Sequence, residues 1–169
     1  EGDTAKADRM KKQLPYHTIT ATYIKERLAY SLDTYQDIIT LDCDDMLAEK
    51  LPEFRLLVNE CPDTLGDFVS PRMHGLKIFV YLTGEEAEAL RAELNALGTV
   101  DFPTLERYHH RMYALASGKY EKLLNTKVDT SGSDPGRGFF VSHDPDAFLS
   151  LERLENVKPL TVKVTLPTE

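Results

Sequence analysis

The chain has 169 residues, enough for one domain of ordinary size with a full hydrophobic core. Its 41% hydrophobic and 28% charged residues are those of a globular chain. No apolar run approaches the ~20 residues of a helical membrane span, and 20 Lys plus Arg against 28 Asp plus Glu give a net charge of −8, which excludes a surface coated in DNA-binding charge but not a local basic groove.

Residues 1–13 are charged and poor in apolar side chains, as expected of a frayed lead-in or short helix. One domain is expected over 14–169. His17 to Tyr23 is rich in β-formers and predicts a first strand, Lys25 to Asp33 is ambiguous, and Ile38 to Asp42 predicts a second strand. Two short helical pieces follow, from Met46 to Leu51 and from Phe54 to Val58, with Pro52 in a first turn. Asp67 to Ser70 and Leu76 to Leu82 predict two strands joined by Pro71–Gly75. Glu85 to Leu97 has acidic residues in its first turn, an apolar face of Ala87, Leu90, Leu94 and Leu97, and Gly98 as its stop, so it is the clearest helix.

A second long helix is expected from Thr104 to about Leu124, with a break near Gly118. After it come a short strand at Thr126–Asp129, a loop from Thr130 to Gly136, a strand at Gly138–Ser142, a helical turn at Asp146–Leu151 and a closing strand at Leu160–Leu166. Interleaved strands and helices predict an α+β fold around a mixed or antiparallel sheet. Cys43 and Cys61 form neither a CxxC pair nor a disulfide framework, which suits a reducing cytosol, and no signal-peptide pattern is present, so a cytoplasmic location is expected. The chain opens on Glu1 and stops soon after its last strand, so a domain cut from a longer protein is expected.

The most informative stretch is Asp37 to Asp45. A strand alternates faces at each residue, so Asp42 and Asp44 point the same way, about 6.5 to 7 Å apart along the backbone, and Cys43 points toward core. Like charges on one face repel unless a cation joins them, and Mg²⁺ or Mn²⁺ takes such oxygen ligands. The alternative is that Asp42 merely ends the strand and Asp44 caps a helix starting near Asp45.

Four stretches then fall into a known order: Leu14-Pro15 with its Thr-rich strand, Leu41-Asp42-Cys43-Asp44, Ser70-Pro71 followed by Gly75-Leu76-Lys77, and Val128-Asp129-Thr130-Ser131-Gly132-Ser133-Asp134 with Arg137. Together with Phe140 to Pro145 and Phe148 to Ser150, this order over roughly 14–150 resembles the VirE N-terminal type of domain of the Bacteroides group. That domain is similar to the primase-polymerases of the archaeo-eukaryotic primase superfamily.

The resemblance implies an RRM-like sheet, Mg²⁺ or Mn²⁺ held by Asp42, Asp44 and Asp129, and nucleotide or phosphate contacts from Ser70, Gly75, Lys77 and Arg137. It also implies nucleoside triphosphates and DNA, single-stranded above all, as partners, metal-dependent nucleotidyl transfer as the reaction, a role in replication or a mobile element, and an attached helicase-like domain. Transfer through two metals needs carboxylates that clamp ions about 3.5 to 4 Å apart, and a Lys or Arg opposite them neutralises phosphate charge.

The chain also departs from that pattern. The family turn reads Ser-Pro-Ser-Gly-x-Gly where this chain has Ser70-Pro71-Arg72-Met73-His74-Gly75, Lys77 stands in place of a His, and Ser150 in place of an Asn. A degenerate, non-catalytic module that binds nucleic acid or nucleotides is therefore the alternative to an enzyme, and a purely structural domain is a third reading. Residue by residue, Asp129 also fits an Asx turn, Arg137 surface charge, Lys77 a structural ion pair and His74 an exposed turn. His109 and His110 lie 100° apart on a helix and cannot act as a metal pair, so one is read as surface and the other as packed on the sheet.

Overall fold

A computed structural model describes residues 2–44 and 46–168. Asp45, where a capped helix is one of the expectations, lies outside the described residues.

The centre is a four-stranded antiparallel sheet in the order β4 (Ile39–Cys43), β6 (Leu76–Val80), β5 (Thr64–Val69), β9 (Phe148–Leu149). Ile39, Leu41 and Cys43 alternate on one face with Leu76, Ile78 and Val80, all with no exposed surface. Against that face lie α2 (Leu51–Glu60), through Leu51 and Val58, and α4 (Phe102–Leu124), through Leu105, Met112, Ala116 and Tyr120. Burying these side chains is the main driving force, at about 1.5 to 3 kcal/mol for each large one. The α+β expectation is met, with antiparallel sheets and helices packed against them.

Beside the outer edge of β4 the chain passes again at 128–132. It is tied there by the Asp129 N–H donating to the Asp42 carbonyl at 2.8 Å. The expected strand at Thr126–Asp129 does not form. Asn125 takes a left-handed φ of 48° after α4, and the segment enters a 3-10 turn at Thr130–Ser133 directly after Asp129.

The second sheet face carries Asp42, Lys77, Phe68 and Phe79. Phe139 closes on the last two at ring distances of 5.5 and 5.0 Å. It belongs to β8 (Phe139–Phe140), which pairs with β1 (Tyr16–His17), so the strand expected at Gly138–Ser142 shortens to two residues. The single strand expected at His17–Tyr23 is in fact split between β1 and β2 (Ala21–Tyr23), which pairs with β3 (Leu32–Tyr35). The cause is local: Thr18 Oγ1 donates to the Ala21 carbonyl and Thr20 Oγ1 to the Ile38 carbonyl, both at 2.6 Å, and these side-chain bonds bend the backbone out of a ladder.

Within residues 1–13 the short-helix alternative is the one found, as α1 (Gly2–Lys11). Two other expectations change. Helix α4 runs through Gly118 unbroken, because Ala116 and Tyr120 anchor it on either side and one glycine costs only about 1 kcal/mol. Asp146–Leu151 is not a helical turn. The Asp144 carboxylate accepts the Asp146 N–H, the chain then joins the sheet as β9, and helix α5 (Leu151–Glu155) starts only at Ser150, whose hydroxyl accepts from the Arg153 N–H.

Helix α3 (Glu85–Ala96) stops at Gly98, and β7 (Thr99–Asp101) pairs in parallel with β10 (Lys163–Thr165). Ion pairs from two arginines stitch the layers. Arg91 on α3 donates from Nε to Asp37 Oδ2 at 2.5 Å, and Arg55 on α2 reaches both Asp144 and Asp67. Among the described residues no helix is long and apolar enough to cross a membrane.

Candidate functional site

The site is built where β4 ends. Alternation in β4 puts Asp42 on the face opposite Cys43, Asp44 follows just past the strand's end, and the Asp129–Asp42 backbone bond brings a third carboxylate beside them. One carboxylate oxygen from each of Asp42, Asp44 and Asp129 lies within 4.8 Å of the others. Asp42 is 8% exposed, Asp129 half-buried and Asp44 exposed.

Lys77, directly opposite Asp42 across the β4–β6 ladder, donates from Nζ to Asp42 Oδ2 and is itself 8% exposed. The other oxygen, Asp42 Oδ1, is buried and has no hydrogen-bond partner. An unpaired buried carboxylate oxygen is costly. Three carboxylate oxygens this close together are a donor set that could accept a hard divalent ion.

Asp129 is fixed in direction. Its Oδ1 accepts the Ser131 N–H at 3.0 Å and its Oδ2 accepts from Ser131 Oγ at 2.6 Å. The Asx turn foreseen as the alternative for this residue is thus present, and it aims the carboxylate rather than diverting it. The Ser131 hydrogen bonds also hold the Asp129 carboxyl below its ordinary pKa, with smaller contributions from Arg137 and Lys77, so it stays ionised.

The loop that carries Asp129 is held from beneath by α4. Tyr113 Oη donates to the Asp129 carbonyl and His109 Nε2 to the Gly132 carbonyl at 3.3 Å, while His109 Nδ1 accepts from Tyr35 Oη at 2.8 Å. Burial drives the His109 pKa down to about 4, so the ring is neutral at physiological pH. His110 is exposed, and the two histidines divide as their helical spacing predicts. Gly132 sits so close to β4 that a Cβ there would stand 2.5 Å from the Thr40 carbonyl oxygen.

The turn between β5 and β6 forms the opposite wall. The Ser70 N–H donates to the Gly75 carbonyl and the Met73 N–H to the Ser70 carbonyl, both at 2.8 Å. A Cβ on Gly75 would come within 2.9 Å of the Cys43 carbonyl and 3.0 Å of Asp44 Oδ1, so this glycine lets the turn dock on the Asp-bearing strand end. Met73 adopts a left-handed φ of 60° and is 54% exposed.

Asp42, Asp44, Ser70 and Lys77 line a cleft of about 760 Å³ together with Arg72, His74, Arg137 and Lys11. Of the sequence-selected residues, Gly75 lies behind that wall and Asp129 at its edge. Arg107 and Arg111 line a different depression. Sequence reasoning missed Lys11, Tyr16, Arg27 and Phe140. Arg27 donates to Tyr16 Oη at 2.8 Å and to the Gly136 carbonyl at 2.6 Å, so it fixes the backbone just before Arg137. It falls in the ambiguous 25–33 segment, where no local pattern flags it.

Fold and cleft define an α+β domain with a three-carboxylate cluster at a strand end, rimmed by basic side chains. Over residues 9–149 the chain matches the family described as BT4734-like, N-terminal domain, and it belongs to that family, a Bacteroides family. No curated protein and no solved structure matches it.

Proposed function

We propose that this domain is a primase-polymerase-like nucleotidyltransferase module acting on DNA with Mg²⁺ or Mn²⁺. The observation that carries the reading is the convergence of Asp42, Asp44 and Asp129, with Asp42 Oδ1 buried and unpartnered among them. These three residues would hold the metal, which when bound supplies Lewis-acid stabilisation of charge on phosphoryl oxygens. The protein's own groups do the rest. Arg137, Arg72 and Lys11 supply positive charge to a triphosphate or a DNA backbone, and Tyr16 and Phe140 offer ring surface to bases at the cleft mouth. Basic side chains gathered in this cleft, on a chain of net charge −8, offer a local attraction for a polyanion. The VirE-type and primase-superfamily resemblance supports the same chemistry and suggests a helicase-like domain as an attached partner.

A second reading, favoured by Met73, is a binding module that has lost transfer. A methionine at a left-handed turn position puts a flexible apolar side chain where glycine would leave the backbone open to phosphate.

The test is Mn²⁺-dependent thermal stabilisation together with deoxynucleotide incorporation on a single-stranded template. Wild type is expected to show both, and Asp44→Asn/Asp129→Asn to lose both with its fold intact. Stabilisation without incorporation selects the binding module, and neither in wild type sinks the metal reading.

A further inference from the structure

We infer that Lys77 is a built-in cation occupying the place of a second metal, so that the cluster takes one divalent ion rather than two. This rests on the metal reading proposed above.

Lys77 and Asp42 are direct cross-strand partners, and Phe68 flanks Lys77 on its other side in the ladder. The ammonium is therefore delivered to Asp42 Oδ2 by sheet register rather than by the flexibility of a surface lysine. Both residues are 8% exposed, so neither charge can be released without leaving its partner buried and uncompensated. Asp42 consequently has one oxygen committed to Lys77 and one, Oδ1, unpartnered.

Charge points the same way. The Lys77 ammonium already offsets the charge of the buried Asp42 carboxylate. A second divalent ion would have to enter beside a desolvated ammonium, where low local dielectric magnifies repulsion between cations. It would also have to displace Lys77 from Oδ2. The mixed pair of one ion and one lysine still places two cationic centres on Asp42, one on each oxygen.

The experiment is a Mn²⁺ titration of the full chain, with free ion followed by electron paramagnetic resonance. Site-specific equivalents are counted as those lost in Asp44→Asn/Asp129→Asn, because a chain this acidic binds other ions weakly. Wild type is expected to hold one equivalent, and Lys77→Arg, which keeps the charge, also one. Lys77→Met is expected to admit a second equivalent, or to bind the first at least tenfold more tightly. Two equivalents in wild type overturn the inference while leaving the metal reading intact, and no variant is needed to see that result. One equivalent in both wild type and Lys77→Met at equal affinity also overturns it. No site-specific equivalent in either overturns both readings together.

Discussion

His109 and Tyr113, one helical turn apart on α4, together hold the loop that presents Asp129: the imidazole donates to the Gly132 carbonyl and the phenol to the Asp129 carbonyl itself. The i, i+4 spacing puts both donors on the same helix face, beneath the cluster. The apolar stripe that buries α4 in the core therefore also sets the height of a carboxylate on the other side of β4.

Removing the Tyr113 hydroxyl tests that coupling. Tyr113→Phe keeps the ring and loses one partly buried hydrogen bond, so stability should fall by about 1 kcal/mol. The informative readout is Mn²⁺-dependent stabilisation, which should fall further than the loss of stability alone implies. An unchanged metal response would show that the loop holds Asp129 without the phenol.

His109 gives the fold an acid-sensitive joint. Its folded pKa of about 4 lies below the ordinary 6.5, so between those values the unfolded chain binds a proton that the folded one does not. Its contribution is complete above pH 6.5 and is lost as pH falls toward 4. Buried Asp67, pushed up to about 6 by desolvation, has the opposite sign, its contribution fading as pH rises from about 4 to 6. A comparison of wild type with His109→Gln cancels Asp67, which is common to both. The wild-type advantage in urea unfolding should shrink by about 3 kcal/mol between pH 7 and pH 4, at 1.36 kcal/mol per pKa unit. A difference independent of pH would show that the imidazole titrates normally.

The turn and the long helix allow two glycine tests of opposite kind. Met73 holds a left-handed φ of 60°, which costs a side-chain-bearing residue roughly 1 to 2 kcal/mol, less the extra chain entropy that glycine loses on folding. Met73→Gly should therefore stabilise the domain by up to about 1 kcal/mol. At Gly118, within α4, an added Cβ meets nothing within 4 Å, so Gly118→Ala should raise stability by about 1 kcal/mol with no change in metal binding. Chemical denaturation of both variants checks the pair, and destabilisation in either would mean that the turn or the helix is not the one described.

The parts of the site that were legible in the sequence are those set by short-range rules. Strand alternation sets Asp42 opposite Cys43, with Asp44 just past the strand's end, and helix periodicity separates His109 from His110. Bringing Asp129 to Asp42 needed the order of motifs, because a single backbone bond spans the 86 intervening residues and no local pattern announces it. The places where reading failed share a cause. Thr18 and Thr20 turn the first predicted strand with side-chain bonds, and Asp144 and Ser150 reset the chain before β9 and α5, so side-chain-to-backbone bonds overrode β or helical propensity. Arg27 was unreadable because its partners, Tyr16 and the Gly136 carbonyl, meet it only through the tertiary fold.

Sequence alone pictures the cluster as mutually repelling carboxylates, so that replacing Asp42 and Asp44 by Asn should leave the metal-free domain as stable as before or more so. Lys77 reverses that expectation. Asp42→Asn takes away the one charge paired with a buried ammonium, and breaking a buried pair on one side costs about 3 to 5 kcal/mol. Adding Lys77→Met removes the stranded charge and leaves a neutral Asn beside an apolar side chain of similar length. The double variant should therefore recover most of the loss, giving a coupling energy of at least about 2 kcal/mol in a double-mutant cycle measured without metal. The two single costs adding without coupling would mean that Lys77 and Asp42 do not depend on one another.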